Sequence, residues 1–278
     1  MPKMENKNIN QKEKIKDFIR KLVAKSINAY RKSSIKPFRS ILYKLYLKYI
    51  EPRMIVNRIV VTERDGIKYK LDLRDPQDSE IYYAGCCEPT VVRIIKQYVK
   101  SGMIVFDVGA HTGAHTLRLA KLVGKGGKVI AVDPDLQALS ILRYNLGLNN
   151  IDNVIIENIA FSDNNQEGKE MTLDEYVKIN KINRINFMKI DTEGYEYRII
   201  KGGIDSIEKF SPIMVIEFSK TNIETQGDTL EDLVDLLSSL GYSFFSTKNL
   251  KEYPSKKVLL DSMLPKTATN VLCKMIPK

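Results

Sequence analysis

The chain has 278 residues, enough for one large domain or for a domain with an extension, and an apolar fraction of 43% that is ordinary for a globular protein. Its net charge of +10 is unevenly spread, because residues 1–58 hold 16 Lys or Arg against 4 Asp or Glu, which leaves residues 59–278 close to neutral. Three cysteines, two of them adjacent, exclude a disulfide framework and a zinc cluster, and no apolar run reaches the ~18 residues of a membrane span.

The N-terminal segment carries the whole basic excess. Apolar residues recur at helical spacing over residues 15–30 and 38–50, with Lys and Arg between them, which predicts two basic amphipathic helices. Three partners fit such helices: the body of the protein or a second subunit, an anionic membrane surface contacted through residues 15–50, or nucleic acid. Nucleic acid ranks last, because no RNA-binding signature accompanies the charges. The segment lacks the apolar core of a secretory signal, so we expect a cytoplasmic protein, with peripheral attachment to the inner membrane face as the alternative.

The next segment is predicted to precede the main sheet. Residues 59–73 alternate like a hairpin and turn at Asp65 and Gly66. A loop is expected through Asp78 and Glu80, followed by a helix over residues 89–99.

The most informative stretch reads VFDVGAHTGAHT from Val105 and continues as KVIAVDPD from Lys128. It predicts a strand, a glycine-spaced turn, a helix beginning near Gly113 and a second strand that ends at an acid. Gly109 and Gly113 allow a sharp turn close to a ligand, because glycine has no Cβ. Asp133 follows the second strand, where a carboxylate can accept hydrogen bonds from ribose hydroxyls. The pattern therefore indicates a nucleoside site at the carboxyl edge of a parallel sheet.

Departures from the dinucleotide-binding pattern indicate which class of ligand the turn binds. A dinucleotide site has the spacing G-x-G-x-x-G, whereas this turn has G-x-x-x-G with His111 in its middle and Asp107 before it. An acid at this place repels a pyrophosphate and suits a cationic amino group. A ribose together with a positive charge favours S-adenosylmethionine as the cofactor.

Strands and helices alternate through the rest of the chain, which predicts an α/β fold with three layers around a mostly parallel sheet. Helices are predicted over residues 136–148, 173–181 and 230–240 and from near Gly194, and strands over residues 154–157, 186–190, 214–218, 242–245 and 268–275. The segments 75–88, 219–228 and 249–266 show the least pattern, and we expect them to determine acceptor specificity.

In these motifs the chain resembles the FkbM family of S-adenosylmethionine-dependent methyltransferases over about residues 59–250. The motifs are IYYAGCCEPTV from Ile81, DVGAHTG from Asp107, VDPD from Val132, AFSD from Ala160, TLDEY from Thr172, KIDTEGYE from Lys189, and the strand ending at Glu217. The resemblance implies a class I (Rossmann-like) methyltransferase with a seven-stranded sheet at residues 59–278, preceded by the helical extension at 1–58. It also implies O-methylation of sugars in glycans or glycoconjugates.

The resemblance also implies roles for individual residues. Asp107, Gly109 and Gly113 would hold the methionine end of the cofactor, and Asp133 its ribose. Two further positions, Asn158 and Ala160, would lie near the adenine. His111 also falls in the cofactor site, but the family usually has asparagine there, which puts its side-chain contacts in doubt.

Acids at the ends of two later strands are candidates for the chemistry. Asp191 and Glu193 follow the fourth strand of the sheet and Glu217 lies near the end of the fifth, beside the expected methyl group. Asp191 is the preferred acceptor-binding acid or base, and the other two support it. A divalent metal bound by the three acids is an alternative that we do not favour. Of the two histidines, His111 and His115, the second is expected to be buried against the sheet.

These observations favour an O-methyltransferase acting on a hydroxyl of a sugar or glycoconjugate. Two alternatives stay open: a protein or RNA methyltransferase, and a catalytically inactive, membrane-associated protein that binds the cofactor. RNA is disfavoured because residues 59–278 lack the basic surface that phosphate binding requires. The sequence leaves the acceptor and the oligomeric state open.

Overall fold

The computed structural model describes residues 59–166, 168 and 170–276. These residues form two compact units, one ending at Cys87 and the other beginning at Glu88. The helices expected within residues 15–50 lie outside the described residues. The domain boundary expected after residue 58 falls at their edge and stays a prediction.

The first unit contains a hairpin and one helix. Strands β1 (Ile59–Arg64) and β2 (Ile67–Asp72) pair antiparallel, and helix α1 spans Pro76–Ala84. The turn between the strands has positive φ at both central residues, 51° at Asp65 and 70° at Gly66, as the sequence predicted.

The loop expected through Asp78 and Glu80 was wrong, because these residues belong to α1. Asp75 caps the helix by accepting a hydrogen bond from the backbone N–H of Asp78, and Pro76 stands in its first turn. The Asp78 carboxylate is buried and accepts the backbone N–H of Asp72 at 2.8 Å. A helix of nine residues with so many polar positions shows no readable apolar period.

The second unit is an α/β sandwich around a seven-stranded sheet. In chain order its elements are α2 (Pro89–Tyr98), β3 (Ile104–Val108), α3 (Thr116–Val123), β4 (Lys128–Val132), α4 (Leu136–Leu148), β5 (Val154–Glu157), β6 (Ala160–Phe161), β7 (Glu170–Met171), α5 (Leu173–Ile179), β8 (Phe187–Ile190), α6 (Glu196–Lys201), α7 (Ile204–Phe210), β9 (Ile213–Ser219), α8 (Lys220–Thr225), α9 (Leu230–Ser239), β10 (Tyr242–Ser246), α10 (Lys256–Asp261) and β11 (Ala268–Met275).

The sheet order is β10-β11-β9-β8-β3-β4-β5. All neighbouring pairs from β9 to β5 are parallel, and β11 runs antiparallel between β9 and β10. Strand β3 lies in the middle, so that the order of strands reverses beside it and a crevice opens at its carboxyl end. This is the class I methyltransferase fold, and it confirms the α/β prediction.

Several boundaries differ from the sequence-based expectation. The helix expected from Gly113 begins at Thr116, because residues 109–115 form an extended turn. Two segments that showed little pattern contain the short helices α8 and α10. Each is six residues long, shorter than two turns, and so too short to display a helical period.

Apolar side chains cover both faces of the sheet. On one face Phe106, Phe161 and Tyr176 stack edge to face or tilted, with ring centroids 5.4–6.4 Å apart. On the other, Val105 and Phe187 pack with α2 and α3. Cys87 and Cys273 are buried, and Cys86 is half-buried. Among the residues that the structure describes, no helix combines the length and apolar character needed to cross a membrane.

Candidate active site

The turn after β3 is fastened to the end of β4 by its backbone. The N–H groups of Gly109 and Ala110 donate to the carbonyl of Val132 at 2.9 and 3.1 Å. The N–H of His111 donates to Asp133 Oδ2 at 2.8 Å. These bonds bring together the predicted methionine-binding turn and the predicted ribose-binding acid.

The position of Gly109 requires a residue without a side chain. Its φ is +81°, and a Cβ at this position would stand 1.8 Å from the carbonyl oxygen of Asp191. The backbone that leaves β8 therefore touches the cofactor turn directly. Gly113 also has positive φ, and its Cβ would stand 2.5 Å from Leu142 Cδ1, the far end of a flexible side chain.

Asp107 is buried in β3, and only one of its two carboxylate oxygens has a hydrogen-bond partner among the described residues. Its Oδ2 accepts a hydrogen bond from the Thr116 hydroxyl at 2.6 Å, whereas its Oδ1 is buried and has no partner among the described residues. Burial raises the pKa of Asp107, and the nearby side chains of Lys189 and His115 oppose that rise. The free oxygen is a place for a donor from a ligand.

His111 stands in the middle of the turn with φ of 46°, a conformation that asparagine adopts more readily than histidine. Its Nδ1 is buried and without a partner among the described residues. The turn itself is fastened by a residue that the sequence did not single out: Asn145, fully buried in α4, donates to the carbonyl of Thr112 at 3.1 Å.

Asp133 closes the loop that follows β4. Besides the bond from His111, its Oδ1 accepts the N–H of Asp135 at 2.8 Å. Asn158 donates to the carbonyls of Asp133 and Pro134 at 3.1 and 2.9 Å, so it fastens the loop after Asp133. Ala160 begins β6 and is half-buried. That these two residues lie near an adenine stays a prediction.

The three acids expected to support the chemistry meet at one place. One carboxylate oxygen from each of Asp191, Glu193 and Glu217 lies within 4.8 Å of the others. Asp191 follows β8 and Glu217 lies in β9, which pairs with β8 in parallel, so both carboxylates reach the same edge. A divalent cation would find oxygen ligands here, and it remains an alternative.

The charged groups that act on Glu217 are other acids. Its Oε2 is buried and without a partner among the described residues. Burial, together with the negative charges of Asp191, Glu193 and Glu196, raises the pKa of Glu217 to about 8. This carboxyl is therefore largely protonated at neutral pH.

Glu193 and Glu196 have different roles in the turn after β8. Glu196 accepts from the backbone of Thr192 and Gly194, which fixes the turn as a helix-capping acid does. Glu193 has φ of 57°, is exposed, and accepts the side-chain amide of Asn222 at 2.5 Å. Asn222 belongs to α8, in a segment whose sequence gave no indication of a contact with this turn.

Sequence reasoning also missed a buried group of charges beneath the edge. Lys189 is 2% exposed and donates from Nζ to Asp191 Oδ2 at 2.8 Å. Glu88 pairs with His115 at 2.9 Å and accepts from the Asn270 amide. Burial opposes ionisation of Glu88, but His115 and Lys189 lower its pKa to about 2. A lone lysine in the apolar strand FMKI was the available signal. His115 is buried, as expected.

The site fits S-adenosylmethionine. An unpartnered buried carboxylate oxygen on Asp107 suits the amino group of the methionine end. Both oxygens of Asp133 accept backbone N–H groups and each retains a lone pair, which suits ribose hydroxyls. No phosphate-binding glycine stands between Gly109 and Gly113.

Comparisons with known proteins find matches to methyltransferases. The family described as "TRM5/TYW2 methyltransferase domain" matches residues 60–200, about half of the chain, and the one described as "Methyltransferase FkbM domain" matches residues 160–244. A "Ribosomal protein L11 methyltransferase" from Acetivibrio thermocellus is 29% identical over 137 residues, which are 45% of this chain and 41% of that protein. The chain thus spans less than half the length of the relative it matches.

Two solved structures are similar at low sequence identity. The FkbM methyltransferase from Methylobacillus flagellatus has 19% identity and a TM-score of 0.44, covering 63% of this chain and 44% of that chain. An rRNA methylase from Streptococcus thermophilus has 15% identity and a TM-score of 0.45, covering 67% and 95%. Because the match to the TRM5/TYW2 methyltransferase domain covers about half of its residues, the chain belongs to that methyltransferase family, and its residues 160–244 also match the FkbM methyltransferase domain.

Proposed function

We propose that the protein transfers the methyl group of S-adenosylmethionine to a hydroxyl or amino group bound at the acidic edge of β8 and β9. One observation carries the proposal: the backbone of Asp191 lies against Gly109 of the cofactor turn, and its side chain belongs to the acid cluster. An acceptor held by Asp191 would thus be next to the cofactor. Methyl transfer needs that alignment above all, because it is an in-line displacement.

Bound S-adenosylmethionine supplies an electrophilic methyl group on a cationic sulfur. The chain supplies orientation and a place for the proton. Asp107 and Asp133 would hold the two ends of the cofactor, and Asp191 would accept the hydrogen bond of the acceptor O–H or N–H and then its proton. Glu193, fixed by Asn222, and Glu217 would orient the acceptor from the other side.

For the acceptor, a hydroxyl of a sugar or glycoconjugate is the choice that the resemblance to the FkbM family suggests. Sugars bind through many hydroxyl groups, and carboxylates accept hydrogen bonds from them well. The cluster of Asp191, Glu193 and Glu217 offers several such oxygens at one edge.

A protein amine is the second candidate. It is favoured by the L11 methyltransferase name of a relative and by the acids of the cluster, where Lys189 pairs with Asp191 and Glu193 is exposed. A cationic amine would be attracted to such an edge. RNA fits less well, although rRNA methylation is named for a similar structure, because the acids would repel phosphate groups.

The test is a methyl-transfer assay on the full chain with labelled S-adenosylmethionine. A panel of oligosaccharides and glycolipids, a panel of ribosomal proteins, and total RNA each receive the wild type, Asp191→Asn and Asp133→Ala. We expect label in the first or second panel, at least about 100-fold less with Asp191→Asn. Cofactor binding weaker by about 1–3 kcal/mol is expected with Asp133→Ala. Label in RNA alone would refute the proposed acceptor class.

Calorimetry with S-adenosylhomocysteine separates an enzyme from an inactive binding protein. Binding by the wild type without label in any acceptor would support the catalytically inactive, membrane-associated alternative. Absence of binding would refute the cofactor assignment itself.

A further inference from the structure

Lys189 lies in the middle of a strand whose four residues are all buried. The Lys189 side chain is 3% exposed, and its ammonium donates a hydrogen bond to Asp191 at 2.8 Å. Lysine is almost never fully buried unless it is paired. A buried ion pair also gives little stability compared with apolar residues of the same size. Stability alone therefore does not explain a lysine at this position.

The neighbours of Lys189 belong to both halves of the site. On one side is Asp191, the proposed acceptor-binding acid. On the other is Asp107, its register partner in β3 and the proposed partner of the methionine end. The negative charges of Asp191, Asp107 and Glu88 outweigh burial and raise the pKa of Lys189, so the ammonium stays protonated.

The ammonium also decides which atoms of Asp191 are available. Lys189 binds Oδ2, and no described residue hydrogen-bonds Oδ1. The Asp191 side chain is 11% exposed, so the carboxylate has access to the crevice from a position fixed by the pair. Without Lys189, the Asp191 carboxylate would lose its countercharge and its hydrogen-bond donor, and its side chain could turn outward.

We propose that Lys189 is a positioning residue that serves both ends of the site. It holds Asp191 with one oxygen towards the acceptor, and its ammonium places a positive charge beside Asp107 at the methionine end. The inference rests on the proposed function for the role of Asp191, whereas the role at Asp107 concerns cofactor binding alone. Loss of the ammonium should therefore weaken two measurable quantities, turnover and affinity for the cofactor product.

The experiment compares Lys189→Met with the wild type in the full chain, well below the melting temperature of each. S-adenosylhomocysteine affinity is measured by calorimetry, and kcat and KM are measured with the acceptor found in the methyl-transfer assay. We expect about tenfold weaker binding from the loss at Asp107. We also expect kcat about 100-fold lower from misplacement of Asp191, with a smaller change in KM for the acceptor.

Two further variants separate positioning from structure. Lys189→Arg keeps the charge and should recover most of the S-adenosylhomocysteine affinity. Lys201→Met breaks a surface pair with Asp163 by the same chemical change and should alter neither quantity. If Lys189→Met does not fold, Lys189→Met/Asp191→Asn removes the pair without leaving Asp191 as an unpaired charge, and its S-adenosylhomocysteine affinity carries the test.

The possible results of these measurements decide whether Lys189 is a positioning residue. Wild-type affinity and wild-type kcat in a folded Lys189→Met protein would overturn the proposal and leave Lys189 as a structural residue. A fall in kcat with unchanged affinity would overturn the shared role. If the wild type methylates no acceptor, the proposed function fails, and the affinity arm alone still judges Lys189.

Discussion

Backbone conformation at single residues explains two features of the site. Gly109 stands where any side chain would collide with Asp191, and His111 stands in a left-handed conformation that disfavours most side chains. The first position is filled by the residue that its geometry requires. The second position holds histidine instead of a residue that favours this conformation, so the backbone is strained at His111.

Replacing His111 with asparagine should therefore stabilise the protein. The relief of left-handed strain should contribute about 0.5–1 kcal/mol. The melting temperature, measured by calorimetry without ligand, should rise by about 2 °C. The control His111→Ala should give no such rise, because alanine lacks the short polar side chain that lets asparagine form local hydrogen bonds in the left-handed conformation. An Asn variant that melts at or below the wild type would show that the histidine side chain compensates for its conformation.

The pH dependence of stability should carry the signature of Glu217. Its pKa in the folded protein, about 8, lies above the ordinary value of 4.5, so the folded state favours the protonated form. The stability from this group is complete below about pH 4.5 and is lost as the pH rises towards 8. Glu217→Gln should thus lose less stability than the wild type between pH 5 and pH 9.

Urea unfolding in the presence of a chelator measures this difference without interference from metal ions. The control is Glu208→Gln, an exposed acid, which should follow the wild type across the range. Parallel curves for Glu217→Gln and the wild type would mean that Glu217 ionises in the folded protein as it does in water.

At the scale of elements, the contact between the turn after β3 and the end of β8 joins the proposed cofactor half of the site to the proposed acceptor half. Gly109→Ala should break it, because φ is +81° and the new Cβ would meet Asp191 O at 1.8 Å. We expect the free energy of unfolding to fall by about 3 kcal/mol and S-adenosylhomocysteine to bind at least tenfold more weakly.

Gly147→Ala is the matched control for this prediction. Gly147 lies in α4, and a Cβ there would meet nothing within 4 Å. It should stabilise the protein by about 0.5–1 kcal/mol and leave binding unchanged. If both alanines behaved alike, the close approach at Gly109 would not matter for the site.

Sequence reasoning succeeded for elements with a strong period and failed for short ones. The helix over 136–148 and the strand over 154–157 were predicted with their observed bounds. By contrast, α1 was predicted as a loop, because its many polar positions leave no apolar period, and α8 was not predicted, because its six residues are too few to show one. In the site, the strand-end acids were predicted from their position. Asn222 was missed, because it contacts a residue distant in the chain, Glu193. Lys189 was missed although a lysine within the apolar strand FMKI was a signal.

At the scale of the whole molecule, the charge division between residues 1–58 and the rest predicts where the protein would bind a membrane. The full chain should bind vesicles containing anionic lipid and should be released by salt of about 0.5 M, since salt screens such attraction. A chain beginning at residue 59 should not bind them in a flotation assay. Equal binding to neutral vesicles, or binding by the shorter chain, would contradict the role of the basic segment.

The position of β11 in the sheet has a consequence for synthesis on the ribosome. This strand follows β10 in the chain but lies between β10 and β9, so β10 has no strand to pair with until β11 has emerged. Nascent chains whose emerged part ends within residues 247–267 should therefore expose the open edge of β9 and bind chaperones. Chains with a C-terminal linker that lets residue 276 emerge from the ribosome should resist protease. Ribosome-bound intermediates of defined length would reveal this order of assembly.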